Sequence, residues 1–146
     1  MKNLATMFFT YCFLLISITA NAQETIIVRK QLPLNAQKLI KTNFSDKTID
    51  YIIADKELIS TDYSVKFTDG SEIDFNSNGI WTEIDCKRNA IPSKLVKPSI
   101  ANYVNKKFPN TQIEKIEKSV LKRQEIKLSN GLELEFNSKG EFVKID

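Results

Sequence analysis

Apolar residues recur with two different periods, and the switches between them predict the elements. Ala36, Leu39, Ile40 and Phe44 fall at helical spacing behind Pro33, which predicts a short amphipathic helix over 33–44. Ile100, Tyr103, Val104 and Phe108 repeat that spacing behind Pro98, and Pro109 ends the second helix. Proline suits a first helical turn because its missing N–H would have no partner there. Ile91 to Lys97 reads as an extra entry segment. Thr25 to Lys30 reads as a lead-in strand, as do Ile49–Ala54 and Ile113–Val120 after the helices. Tyr63, Val65 and Phe67 then alternate with polar neighbours, as do Ile126 and Leu128. Ile73, Phe75, Thr82 and Ile84 keep the rhythm, answered by Leu134, Phe136, Val143 and Ile145. Each helix is thus followed by about four antiparallel strands with one apolar face toward the helix and one polar face toward water. The fold class predicted is α+β.

The segment Gly70-Ser-Glu-Ile-Asp-Phe-Asn-Ser-Asn-Gly79 returns, lightly edited, as Gly131-Leu-Glu-Leu-Glu-Phe-Asn-Ser-Lys-Gly140. Such self-similarity points to a tandem duplication, with units over 23–86 and 87–146. Parity fixes the hairpin register. Val65, Phe67, Ile73 and Phe75 share a face only if the loop has three residues, Thr68-Asp69-Gly70, pairing Val65 with Ile73 and Lys66 with Glu72. The second copy pairs Ile126 with Leu134 and Lys127 with Glu133. Such loops end in a left-handed residue, the position of Gly70 and Gly131. Gly79 and Gly140 mark two further turns.

Met1-Lys2-Asn3, the apolar run Leu4–Ala20 and Ala20-Asn21-Ala22 form the three parts of a secretory signal over 1–22, cleaved before Gln23. The expected location is periplasmic or secreted, with no membrane span after cleavage. Cys12 lacks a lipobox and leaves with the signal, so Cys86 is the sole remaining thiol and no internal disulfide is possible. The chain has 21 basic against 18 acidic side chains and no histidine. This interspersed balance does not predict a nucleic-acid partner.

Asp74, Asn76 and Asn78 before Gly79, with Asp85 at the twelfth position, fit the opening of a calcium-binding EF-hand loop. Asn, Ser and Gly also favour plain β-turns. The flanks alternate with period two where an EF-hand needs helices, and the second copy carries Glu135 and Lys139. Parity places Glu72, Asp74, Trp81, Glu83 and Asp85 on the face away from the helix, matched by Glu133, Glu135, Phe142, Lys144 and Asp146. Trp81 and Phe142 among charges suit a recognition surface, or else cover backbone near the hairpin tips. Without histidine, Cys86 has no activating base. Zinc is not expected, no phosphate-binding glycine loop is present, and no cofactor is implied.

The chain resembles the PepSY-like, β-lactamase-inhibitor-like family of small exported bacterial proteins. The resemblance rests on Leu32-Pro33 before a helix ending at Phe44, on Tyr63 to Phe75, and on Gly79-Ile80-Trp81. It continues through Ile91-Pro92, Tyr103-Val104, Phe108-Pro109, Ile113–Lys118 and Leu128–Phe136. Leu121–Gln124 departs from it, lacking the aromatic that Tyr63 supplies in the first copy. The resemblance implies a tandem helix-plus-sheet fold. The functional expectation is a non-enzymatic binding module that recognises an unidentified protein or peptide through its open sheet face. Trp81, Phe142, Glu72, Asp74, Glu133 and Glu135 are the contact candidates. The alternatives are a peptidase or β-lactamase inhibitor, and a calcium module using Asp74, Asn76, Asn78 and Asp85.

Overall fold

The computed structural model describes residues 23–146. The expected signal segment, 1–22, lies outside the described residues. Nine strands form one antiparallel sheet in chain order: β1 (Gln23–Ile27), β2 (Ile49–Lys56), β3 (Thr61–Phe67), β4 (Glu72–Phe75), β5 (Trp81–Asp85), β6 (Ile113–Lys118), β7 (Gln124–Leu128), β8 (Glu133–Phe136) and β9 (Phe142–Ile145). Helix α1 (Leu34–Asn43) joins β1 to β2, and α2 (Pro98–Lys107) joins β5 to β6. The expected helices and strands are present, except that the lead-in strand ends at Ile27 and gives way to a 3-10 turn at Arg29–Gln31; the extra entry segment holds another at Ser93–Leu95. The strands join into a continuous sheet, because β5 pairs with β6 through Glu83–Glu117, Ile84–Ile116 and Asp85–Lys115.

Both helices start at a proline and stop at a phenylalanine. Pro33 precedes α1 and Pro98 opens α2, while Phe44 and Phe108 close their last turns through N–H bonds to Ile40 and Val104. Ala36, Ile40, Ile100 and Val104 turn their faces onto the sheet. There they meet one row of aliphatic side chains that crosses every strand: Ile27, Ile52, Val65, Ile73, Ile84, Ile116, Ile126, Leu134 and Ile145. The central members, Ile52 to Leu134, are fully buried. Each contributes roughly 1.5–3 kcal/mol of transfer free energy. At the rim the cover fails. Ile84 is 0% exposed under its neighbours, whereas Ile145, on edge strand β9, is 50% exposed.

The hairpin register is as parity predicts. Val65 pairs with Ile73, Lys66 with Glu72, Ile126 with Leu134 and Lys127 with Glu133. Gly70 and Gly131 close three-residue loops at φ of 85° and 87°. Gly79 and Gly140 end the β4–β5 and β8–β9 loops, also at positive φ. These two tips rest on helix starts: Asn35 Nδ2 donates to the Asn78 carbonyl at 3.0 Å, and Lys97 Nζ donates to the Ser138 carbonyl at 2.5 Å.

The alternation expected past those tips breaks. Two residues of β5, Trp81 and Thr82, lie against one of β4, because Asp74 pairs with Glu83 while Phe75 pairs with Trp81. Phe136 and Phe142 are related in the same way. A β-bulge of this kind reverses the facing of every residue beyond it. The assignment of Trp81 and Phe142 to the open face, and of Thr82 and Val143 to the core rhythm, is thereby corrected.

Candidate functional site

Covered by helices on one side, the sheet is bare on the other among the described residues, and its open face carries two rows of side chains across the strands. One row reads Ser64, Asp74, Glu83, Glu117, Glu125, Glu135, Lys144. Five consecutive strands thus present a carboxylate to the next. The second row, two residues along, reads Lys66, Glu72, Asp85, Lys115, Lys127, Glu133 and mixes the signs. Neighbouring strands lie about 4.8 Å apart. Like charges directly opposite at that spacing destabilise a sheet. The overall composition does not force this arrangement, since basic residues outnumber acidic ones. Lys38, Lys41, Lys106 and Lys107 instead sit on the two helices.

Cations from the second row and from strand ends relieve part of the strain. Lys115 Nζ lies 3.1 Å from Glu83 and 3.4 Å from Glu117. Glu135 meets Arg123 and, at 3.6 Å, Lys144, and Lys66 pairs with Glu72. Asp74 and Glu125 have no such ion pair among the described residues. Burial raises the Asp74 carboxyl above its ordinary pKa, and Glu72 and Glu83 add to this against the opposing effect of the Ser64 hydroxyl, which itself donates to Glu72 Oε1 at 2.8 Å. Burial also raises Glu125, aided by Glu117, Glu133 and Asp146.

At the β1–β5 end of this face lies a hollow of about 410 Å³. Among the described residues Glu24, Asp55, Asp62, Glu72 and Asp74 line it with a single cation, Lys66. Oδ1 of Asp55 and Oδ1 of Asp74 are both shut off from solvent and have no hydrogen-bond partner among the described residues. A buried polar atom left so is costly, roughly 1–3 kcal/mol.

The sequence-predicted contact residues divide between the two sides of the sheet. Glu72, Asp74, Glu133 and Glu135 stand on the open face. Phe142 stacks on Tyr103 of α2, with centroids 4.8 Å apart and rings 10° from parallel. Trp81 packs against the core, with Lys118 Nζ 3.1 Å from its ring centroid. Burial and then Lys97 bring the Lys118 ammonium down to about 8. Asp55, Asp62, Glu117 and Glu125 were not singled out from the sequence. Their signal was available for two of them: Ile116 and Ile126 face the core, so Glu117 and Glu125 must face away.

The four calcium candidates are not drawn together. Asn76 Oδ1 accepts the N–H groups of Asn78 at 3.0 Å and Ile80 at 3.1 Å, as Asn137 Oδ1 does for Lys139 and Glu141. Asp85 pairs across the sheet with Glu72, while Asp74 faces Glu83. Asp85 is held by Lys87, whose N–H and Nζ reach its two oxygens at 2.8 and 2.6 Å. Among the described residues no group of three or more His, Cys, Asp or Glu side chains could hold a metal ion.

A second hollow, of about 450 Å³, lies where the β3–β4 hairpin meets the end of α1. Lys47 there bridges Asp69 and the Ser71 hydroxyl. Burial works against ionised Asp69, but Lys47 and the Ser71 N–H hold its pKa at about 2. Burial pushes the neighbouring Cys86 thiol up to about 11, far from a reactive thiolate. No described helix is long and apolar enough to cross a membrane.

Residues 61–144 match a family described as "Putative beta-lactamase-inhibitor-like, PepSY-like". A solved "putative periplasmic protein" of Bacteroides vulgatus is 35% identical, with a TM-score of 0.80 over 85% of this chain and 97% of that one. A "putative calcium-regulated periplasmic protein" of Bacteroides thetaiotaomicron is 33% identical, with a TM-score of 0.80 over 84% and 96%. A further Bacteroides vulgatus "putative periplasmic protein of unknown function" is 36% identical, with a TM-score of 0.79 over 85% and 99%. No curated protein matches the sequence.

Proposed function

The chain belongs to the PepSY-like, beta-lactamase-inhibitor-like family, and from that premise we propose that it is a periplasmic, non-enzymatic binding module that holds a protein or peptide on its open sheet face. The observation that carries this reading is the one-sided cover of the sheet: both helices lie on one face, and ordered charged rows fill the other. Eight strand spacings of about 4.8 Å and strands about 17 Å long give roughly 650 Å², close to the roughly 800 Å² per partner of a standard interface. The periplasmic neighbours support the compartment. Glu72, Asp74, Glu133 and Glu135 remain contact residues in this reading, while Phe142 stacks on Tyr103 of α2 and Trp81 packs on the core. The two matching segments, read as one unit used twice with a boundary after residue 86, present their polar faces side by side. An inhibitor of a peptidase or β-lactamase is one form of such a module, supported by the family description alone.

A photo-cross-linking residue placed at Glu117 tests the reading, with Lys41 on α1 as the control position. The expected partner cross-links from position 117 and not from 41. Once purified, it binds wild type but not Glu117→Arg. Cross-linking from position 41 alone would refute the sheet-face reading.

Calcium binding through Asp74, Asn76, Asn78 and Asp85 is a second reading, favoured by the name of the Bacteroides thetaiotaomicron neighbour. It requires Asn76 Oδ1 to give up its two N–H donors and Asp85 to leave Lys87. Calorimetric titration with calcium decides it, and a flat isotherm disposes of it.

A further inference from the structure

The order of charge on the open face, where Asp74 and Glu125 have no ion pair among the described residues and three other carboxylates share Lys115, Arg123 and Lys144, also indicates what kind of partner fits it. We propose that the partner presents an extended Lys/Arg-rich segment, whose cationic groups lie along the row Asp74, Glu83, Glu117, Glu125, Glu135 and enter the hollow over β1–β5. This inference rests on the binding reading above and names the chemistry of its partner.

Three observations carry it. The row aligns five carboxylates on adjacent strands, an arrangement that works against folding and that the nearly balanced composition does not require. Among the described residues the hollow gathers more carboxylates around one lysine, and two of their oxygens, on Asp55 and Asp74, have no hydrogen-bond partner. A guanidinium or ammonium entering the hollow from a partner would lie against this group of carboxylates and donate to their accessible oxygens. The charges also form a line rather than a cage, and no described acidic group is built to hold a metal ion. A line suits a linear polycation. An extended strand repeats its same-side residues every 6.6–6.8 Å or so, and long lysine and arginine stems absorb the mismatch with a row stepping by about 4.8 Å. An apolar partner would bury the row without neutralising it.

The test uses fluorescence anisotropy of the protein with labelled peptides of about ten residues that alternate alanine with lysine, glutamine or glutamate. The lysine peptide is expected to bind, and to weaken as salt rises from about 25 to about 150 mM. The glutamate peptide is expected not to bind. The double variant Asp55→Asn/Asp74→Asn is expected to bind the lysine peptide about tenfold more weakly, while its urea midpoint stays at or above that of wild type. A merely structural role for the two carboxylates would lower that midpoint. Glu117→Lys serves as an independent variant with the same expected loss. Unchanged affinity in both variants overturns the proposal, as does a glutamine peptide that binds as well as the lysine peptide. A calcium isotherm that the double variant abolishes would make the hollow a metal site and also overturn it. A partner that cross-links at Glu117 but is held equally well by Asp55→Asn/Asp74→Asn sinks this inference and leaves the sheet-face reading standing. Absence of any cross-link at Glu117 removes both.

Discussion

Alanine at the four hairpin glycines should cost stability in a definite order. Every one of them has positive φ, between 72° and 87°. A non-glycine residue there costs about 1–2 kcal/mol through the clash of Cβ with its own backbone. Gly131 carries only that cost, since a Cβ built on it meets nothing within 4 Å, and Gly70 meets only Lys87 Cγ at 3.9 Å. At Gly79 the new methyl stands 2.7 Å from Pro33 Cβ and 3.0 Å from the Ala36 backbone nitrogen. Neither can swing aside, because both belong to the anchored start of α1. Overpacking of this kind adds about 1–3 kcal/mol. Gly140 is intermediate: its methyl would meet the Ser99 hydroxyl, which can rotate away. Gly131→Ala and Gly70→Ala should therefore lose about 1 kcal/mol, Gly140→Ala somewhat more, and Gly79→Ala about 2–4 kcal/mol. Urea denaturation at constant m-value reads these differences directly. Equal losses at Gly79 and Gly131 would refute the argument that the hairpin tip is seated on the helix.

Two other measurements test particular groups. Lys118, lowered to about 8 from the ordinary 10.5, should titrate in the emission of the sole tryptophan, Trp81, and Lys118→Met should abolish that transition. Because folding depresses this lysine, the unfolded chain holds more protons between about 8 and 10.5, and stability should rise with pH across that window. A midpoint at 10.5 would show that the ammonium is not buried against the ring. Cys86, 1% exposed and raised to about 11, should react with a disulfide reagent only as the protein unfolds. Rapid labelling of the native protein would contradict that burial.

Much of the fold was legible because its signals are local. Pro33 and Pro98 mark helix starts, and side-chain parity around Gly70 and Gly131 fixes two hairpin registers without reference to the rest of the chain. What stayed hidden depends on relations between strands. Alternation carried through Trp81-Thr82-Glu83-Ile84 assumes an unbroken strand, and a bulge is a backbone event that alternation does not record. Trp81 and Phe142 did stand out as large aromatics on a face expected to be wet, and they proved to belong to the other side. The carboxylate row needed one further fact, the joining of β5 to β6. Without it, Glu83 and Glu117 are two unrelated surface residues; with it, they are neighbours on adjacent strands.

The sequential strand order also bears on how the chain folds. Every strand pairs with the strands next to it in the chain, so most pairings close only short turns. Loop-closure entropy rises with the length of chain enclosed, and folding rates fall as contacts become more distant in sequence. Two pairings stand apart, β1 with β2 and β5 with β6, because each must enclose a whole helix before the first sheet hydrogen bond forms. Those two closures carry the largest entropic cost of the strand pairings. The helices, which cover one face of the finished sheet, are also the segments whose early collapse would shorten the distance each closure has to span.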